Sequence, residues 1–333
     1  MLKAHVFSYY FIGDFMLKKK AIKKIILATV ALFLVLIIYT ITDKPKEVVI
    51  YDDAHYTTSL DEVSVFSITK DNYISKASVY VDNDLSLEEK IKNVLEVMIE
   101  KNNKNSLLPD YLKPILPNDT KVLDVTIDND IATINFSKEL LNISEEQSNN
   151  MIESIIYTII DFDNILGITI KVEGKTLKYV PNTNTVLNEV LDKNYGINKV
   201  YSIYDNNNIT KVILYYIANN TNNIYVPVTK YVNDTREKIE IIVEELSSSF
   251  ILKNNLVSFL DSNVKLVDYS IDDNLIKLVF NESLYENSNQ KKVNKDTLDM
   301  IALSVFDNYD VENAEIYIDS MKIYEKSRKD IEN

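Results

Sequence analysis

TKVLDVTIDNDIATINF (120–136) and VKLVDYSIDDNLIKLVF (264–280) lie over one another without a gap. In the first stretch Leu123, Val125 and Ile127 alternate with Asp124, Thr126 and Asp128; after the polar pair Asn129-Asp130, Ala132, Ile134 and Phe136 alternate with Thr133 and Asn135. Period-two alternation broken by a turn-forming pair specifies a β-hairpin with one buried face. The second stretch places Val267, Tyr269, Ile271, Ile276, Leu278 and Phe280 at the equivalent inward positions.

The duplication extends outward from the hairpins. Upstream of each lies a helical stripe at i, i+3, i+4, i+7: Ile91, Val94, Leu95 and Met98 in one copy, Ile239, Ile242, Val243 and Leu246 in the other. Ser86 with Glu89, and Asp234 with Glu237, have the spacing of capping boxes, in which side-chain oxygens satisfy the orphan N–H groups of a helix start. Downstream, Ile152, Ile155, Ile156 and Ile159 are answered by Leu298, Ile301, Ala302 and Val305, with Ser144 and Gln147 capping the first of these helices. Closing strands carry Ile168, Ile170 and Val172, and Ala314, Ile316 and Ile318; opening strands are expected around 78–81 and 211–217.

Each unit therefore reads strand, helix, strand, strand, helix, strand, the order of a split βαβ. The expected class is α+β: two tandem βαββαβ domains with antiparallel or mixed sheets, helices covering one sheet face, behind a single N-terminal transmembrane helix. The divisions are 1–24 (a cytoplasmic basic segment), 25–42 (the anchor), 43–72 (a stalk with some strand character at Val63 and Val65), 73–180 (domain 1), 181–207 (a linker with one short helix near 187–191), 208–325 (domain 2) and 326–333 (a tail). The stretch Ile224-Tyr225-Val226-Pro227-Val228-Thr229-Lys230-Tyr231 has no counterpart in the first copy on this alignment. Pro227 lacks an N–H, so the stretch reads as an edge strand or bulge where a partner strand could add, with Tyr225, Pro227 and Tyr231 as the candidate interface residues.

The paired hairpins, the helix starts Glu89-Lys90-Ile91 and Glu237-Lys238-Ile239, and the segment 225–231 together resemble the GerMN domain, over about 73–180 and 208–325. That family is similar in fold to small ring-building modules of envelope-spanning assemblies and offers no catalytic residues to carry over. The resemblance implies a scaffolding role at the outer face of a Gram-positive cell or forespore membrane, in sporulation, germination or envelope assembly. Members are commonly lipoproteins, and this chain, which has no cysteine, departs from them in its anchor.

The chain has 333 residues and a net charge of −14. Its first 42 residues hold six lysines and one aspartate, which leaves 30 basic and 49 acidic residues in the remainder. A surface of that sign repels phosphate backbones, so no nucleic-acid partner is expected; an extracytoplasmic protein partner, cationic for preference, or self-association fits better. The run IILATVALFLVLIIYTIT (25–42) is uncharged and gives about 27 Å of helix at 1.5 Å per residue, just enough to span a bilayer. Lys18, Lys19, Lys20, Lys23 and Lys24 precede it, which puts the N-terminus in the cytoplasm and residues 43–333 outside the cell membrane. No small-residue cleavage site closes the run, so an uncleaved anchor is expected rather than a signal peptide. Met16 would make a conventional start, and residues 1–15 then read as an upstream mis-start.

Absence of cysteine excludes disulfides and thiolate chemistry, and histidines only at 5 and 55 leave the domains without a catalytic triad or a histidine metal site. With glycines only at 13, 167, 174 and 196, no phosphate-binding loop is possible. Asp128 with Asp130, and Asp272 with Asp273, could be a calcium site or a carboxylate dyad, but Asp and Asn in hairpin turns are the simpler reading. Asp161-Phe162-Asp163-Asn164 lacks the ligand spacing of a calcium loop. No catalytic, metal or cofactor site is expected. The alternatives to an assembly protein are a surface module binding glycan or peptidoglycan and, last, a secreted carboxylate hydrolase.

Overall fold

The computed structural model describes residues 19–41, 59–218, 224–248, 255–286 and 291–330, which fall into two compact units, Met1–Thr57 and Thr58–Asn333. In the first unit, helix α1 (Lys19–Ile41) begins on the lysine cluster, and Ile25, Leu27, Leu32 and Phe33 are exposed. The side chains of 35–41, and residue 42, lie outside the described set. Among the described residues no helix is long and apolar enough to cross a membrane. The segment before 19 and stalk residues 43–58 also lie outside the described residues.

The second unit contains both copies. The first runs β1 (Leu60–Thr69), β2 (Ile74–Asp82), α2 (Leu87–Val97), β3 (Leu112–Lys113), β4 (Val122–Asp128), β5 (Ile131–Phe136), α3 (Glu145–Ile160), β6 (Gly167–Val172) and β7 (Lys175–Thr176). A connecting strand β8 (Val200–Ser202) leads to β9 (Ile209–Ala218), β10 (Ile224–Asn233), α4 (Lys238–Ser247), β11 (Leu256–Val257), β12 (Leu266–Asp272), β13 (Leu275–Phe280), α5 (Lys295–Phe306), β14 (Asn313–Ile318) and β15 (Met321–Ser327). Each copy holds two sheets rather than the single one expected. One is built on a long hairpin, in the orders β2-β1-β3 and β11-β9-β10-β8; the other is four-stranded, in the orders β4-β5-β6-β7 and β12-β13-β14-β15. In β4-β5-β6-β7 and β12-β13-β14-β15 the middle pair is parallel and its neighbours antiparallel, because a helix crosses over between β5 and β6, and between β13 and β14.

The opening element is therefore a hairpin, not one strand. Its first strand in copy one, β1, occupies part of the expected stalk. The sequence alignment set β2 against β9, one strand out of step, and so left 224–231 without a mate. With the hairpins paired correctly, β10 is the counterpart of β2. The strand character read at Val63 and Val65 belongs to β1, and the turn that follows is marked by Asn72 in the left-handed region at φ 64°.

The cores follow the stripes. Ile91, Val94, Leu95 and Met98 of the α2 region meet Ala132, Ile134 and Phe136 of β5 and Ile152, Ile155, Ile156 and Ile159 of α3, all essentially sealed from solvent. Ile239, Ile242, Leu246, Ile276, Leu278, Phe280, Ile301 and Val305 repeat the arrangement in copy two. Full burial of one such side chain stabilises by about 1.5–3 kcal/mol. Leu123 and Val267, expected inward, are 45% and 64% exposed. In both copies the pairing skips a residue, between Val122 and Asp124 and between Leu266 and Asp268. A bulge at that point flips the parity, so Val122 and Leu266 take the inward place. Ile271, near the end of β12, is likewise exposed.

Helix starts also differ in detail. Ser86 and Glu89 form the expected reciprocal capping box. At α4 the cap position is Glu237, without a side-chain cap bond; Asp234 instead accepts from the backbone N–H of Arg236, and the N–H of Ile239 finds the Tyr309 hydroxyl at 2.8 Å. Ser144 stands at the cap of α3 but makes no side-chain cap bond.

One device ties each hairpin sheet to its crossover helix. Thr158 of α3 places Oγ1 2.9 Å from the backbone N of Phe66, which donates to it, and returns a bond to the Phe66 carbonyl. Ser304 of α5 accepts from the N–H of Tyr215 at 2.9 Å, and the Asn308 amide both donates to and accepts from Ile213. Mid-strand backbone groups that no neighbouring strand reaches are thereby satisfied by a helix side chain.

Candidate functional site: the seam between the domains

The residues between β7 and β8 run back along the first domain as extended chain. Leu191 exchanges backbone hydrogen bonds with Ile168 at 2.8 Å, and Tyr179 bridges Val186. No helix forms at 187–191, because the edge of β6 beyond the short β7 offers unpaired groups that this stretch satisfies. Asp192 then caps a 3-10 turn over 193–195, and Gly196, at φ 83° and packed against Thr229, turns the chain toward β10. Its positive φ is the glycine-favouring region. Ile197 donates to Thr229 Oγ1 and accepts from the Thr229 N–H, both at 2.8 Å.

Asn198 comes next, with φ at 47°. Its side-chain amide behaves as a peptide group inserted between two sheets. Oδ1 accepts from the Ile74 N–H at 2.9 Å, while Nδ2 donates to the Ile74 carbonyl at 2.8 Å and to the Pro227 carbonyl at 2.7 Å. Ser75 Oγ donates to the Tyr225 carbonyl at 2.9 Å. The outer edges of β2 and β10 thus face each other and are joined by side chains instead of a direct ladder. Asn255 reaches Asp71 at 3.0 Å, and Tyr111 packs against both cores.

Behind Asn198 lies a buried carboxylate. Glu153 of α3 is 2% exposed; its Oε2 accepts from the Asn198 N–H at 2.7 Å and its Oε1 is 3.1 Å from Lys199 Nζ. Lys199 also sits 3.6 Å from the ring centroid of Tyr195. Burial raises the Glu153 carboxyl above its ordinary value, outweighing the opposing pull of Lys199 and the Asn198 N–H.

The three residues expected at a partner-accepting edge fall on this seam or beside it. The β9–β10 ladder is continuous through Pro227, whose missing N–H points away from β9 toward the Asn198 side chain. Tyr225 directs its hydroxyl to Asp296 and Asp299, each at 3.4 Å, and Tyr231 stacks on Tyr201 with centroids 4.9 Å apart. The segment meets the first domain of its own chain. Tyr225 opens on a cleft of about 630 Å³ shared by both domains, with Phe66, Tyr157, Tyr215 and Phe306 among its walls. In it Asp299 takes a hydrogen bond from Lys295 at 2.5 Å and another from Tyr324, with Lys326 at 3.5 Å. Burial alone would raise the Asp299 carboxyl; the bonds from Lys295 and Tyr324 and the charge of Lys326 hold it below the ordinary range.

The acidic pairs are turn residues. Asn129 and Asp130 have φ of 49° and 62°, and Asp273 has φ of 38°, the left-handed geometry of tight hairpins. Asp161 caps α3 and pairs with Lys76 at 3.1 Å. Asn198, Glu153 and Lys199 were not singled out in the sequence. The one signal was a lone carboxylate in the otherwise uncharged run Met151-Ile152-Glu153-Ser154-Ile155-Ile156.

Two like α+β domains, each a hairpin sheet and a mixed four-stranded sheet around two helices, joined strand edge to strand edge, define a tandem GerMN protein. The chain belongs to the sporulation and spore germination family (Germane), whose sequence model matches residues 61–178 and 213–323. It is 27% identical over 285 residues, 82% of this chain and 78% of the relative, to the spore germination protein GerM of Bacillus subtilis (strain 168). The solved tandem GerMN domains of the sporulation protein GerM from Bacillus subtilis superpose with a TM-score of 0.73 at 25% identity, covering 81% of this chain and 97% of that one.

Proposed function

We propose that the chain is a non-enzymatic assembly protein of the sporulation or germination machinery of a Gram-positive-type bacterium. Its domain pair is displayed outside the membrane, where it binds another extracytoplasmic protein or a second copy of itself. The observation that carries this reading is the duplicated GerMN unit held together by a dedicated seam, in a chain similar to a sporulation protein throughout both domains. Two domains fixed in one orientation suit a part that must present several surfaces at set spacing.

Anchoring through 25–42, with the N-terminus cytoplasmic, is supported by the uncharged run and the lysines before it. Protease added to intact protoplasts should remove 43–333 and spare the anchor; protection of the domains would reverse the topology. Deletion of the gene in its host should block sporulation or germination, restored by the full chain. A deletion strain with normal envelope, sporulation and germination contradicts the assembly role.

A further inference from the structure

We propose that Glu153 makes the interdomain seam acid-responsive, holding the two domains together more tightly as pH falls toward the ordinary carboxylate range. The carboxylate sits at the joint itself. It orders the Asn198 backbone, whose side chain spans Ile74 of the first domain and Pro227 of the second, and it pairs with Lys199 of the connecting chain.

The titratable groups facing it are Lys199 and Tyr195 from the connection, Tyr157 from its own helix, Tyr201 from β8 and Tyr231 from β10. All four phenols are shifted upward from their ordinary 10.0 by burial, so they stay neutral below it, and among the described residues Lys199 is the only charge opposite Glu153. When the seam opens, the carboxyl is hydrated and returns toward its ordinary 4.5. Closed, its value is higher, because dehydration penalises the charged form more than Lys199 and the Asn198 N–H favour it. The closed state therefore holds more proton between 4.5 and the raised value, and opening is opposed as pH falls through that window. This contribution is lost as pH rises through the raised value.

Residues 58–333 contain neither histidine nor cysteine, so the usual sources of pH dependence near neutrality are missing. The carboxylates with lowered values, Asp234, Asp299, Glu139 and Glu315, weaken the fold only below their ordinary 3.8 or 4.5.

Amide hydrogen exchange on the full chain, corrected for intrinsic rates, tests this at Ile74 and Asn198, whose N–H groups donate across the joint, with Ile134 in β5 as control. The opening constants of the two seam amides should fall, by up to about tenfold per pH unit, as pH is lowered from above the raised value toward the ordinary 4.5, while Ile134 stays flat. Glu153→Gln should abolish the dependence. Lys199→Gln should move its midpoint to higher pH, since the cation favouring the ionised form is gone. A flat wild-type profile, seam opening on acidification, an unchanged slope in Glu153→Gln, or an unmoved midpoint in Lys199→Gln would each overturn the proposal. Should Glu153→Gln not fold, the wild-type profile and Lys199→Gln still decide it.

Discussion

Asn198 combines two properties that substitution can separate. Its backbone lies in the left-handed region, which Asn and Gly tolerate and Ala does not, and its amide makes three bonds across the seam. Asn198→Gly keeps the backbone and deletes the bonds, leaving Ile74 and Pro227 groups to find water or go unpaired, at about 1–3 kcal/mol. Asn198→Ala should cost about a further 1 kcal/mol of backbone strain. Denaturant unfolding of the two variants measures both figures; equal losses would mean that strain plays no part. A smaller contrast separates Ser86 from Ser144. The first accepts a bond from the Glu89 N–H and the second makes no side-chain cap bond, so Ser86→Ala should destabilise by about 1 kcal/mol and Ser144→Ala by less than about 0.5 kcal/mol.

Among the elements, the helix-to-strand ties matter most for how each domain holds its two sheets together. Thr158→Val keeps the volume and removes the acceptor for the Phe66 N–H, a buried bond between groups 92 residues apart. An orphaned buried N–H costs about 1–3 kcal/mol, so the variant should lose that much in a denaturant titration, and Ser304→Ala should lose a similar amount through Tyr215. A neutral result at both positions would show that the strands need no such tie. Pro227 also belongs at this scale. It sits in a fully paired hairpin because its imide faces the seam, where the Asn198 amide asks only for a carbonyl. Sequence alone presents a proline in a strand as an edge, and which neighbour covers that edge depends on a residue 29 positions away.

For the whole molecule, the core was legible because burial imposes local periods: the stripes of α2 through α5 and the inward residues of β5 and β13 all lie where periodicity put them. The duplicated hairpin was legible for the same reason. What sequence could not supply was long-range. The shared bulge keeps the alternation pattern while moving the first inward residue, the strand character at Val63 and Val65 did not by itself show that β1 opens a hairpin with β2, and the seam joins residues as far apart as 71 and 255 through side chains that carry no repeat signal. The two domains are joined at Asn198, Ser75 and Glu153 into one unit, and the proposed role depends on that rigidity. Because the chain has no cysteine, spin labels can be placed by Glu146→Cys in the first domain and Lys265→Cys in the second, both exposed, and their separation measured by pulsed electron paramagnetic resonance. A single narrow distance distribution, broadened by Asn198→Gly, is the predicted result; a broad or bimodal distribution in the otherwise native chain would contradict a rigid pair.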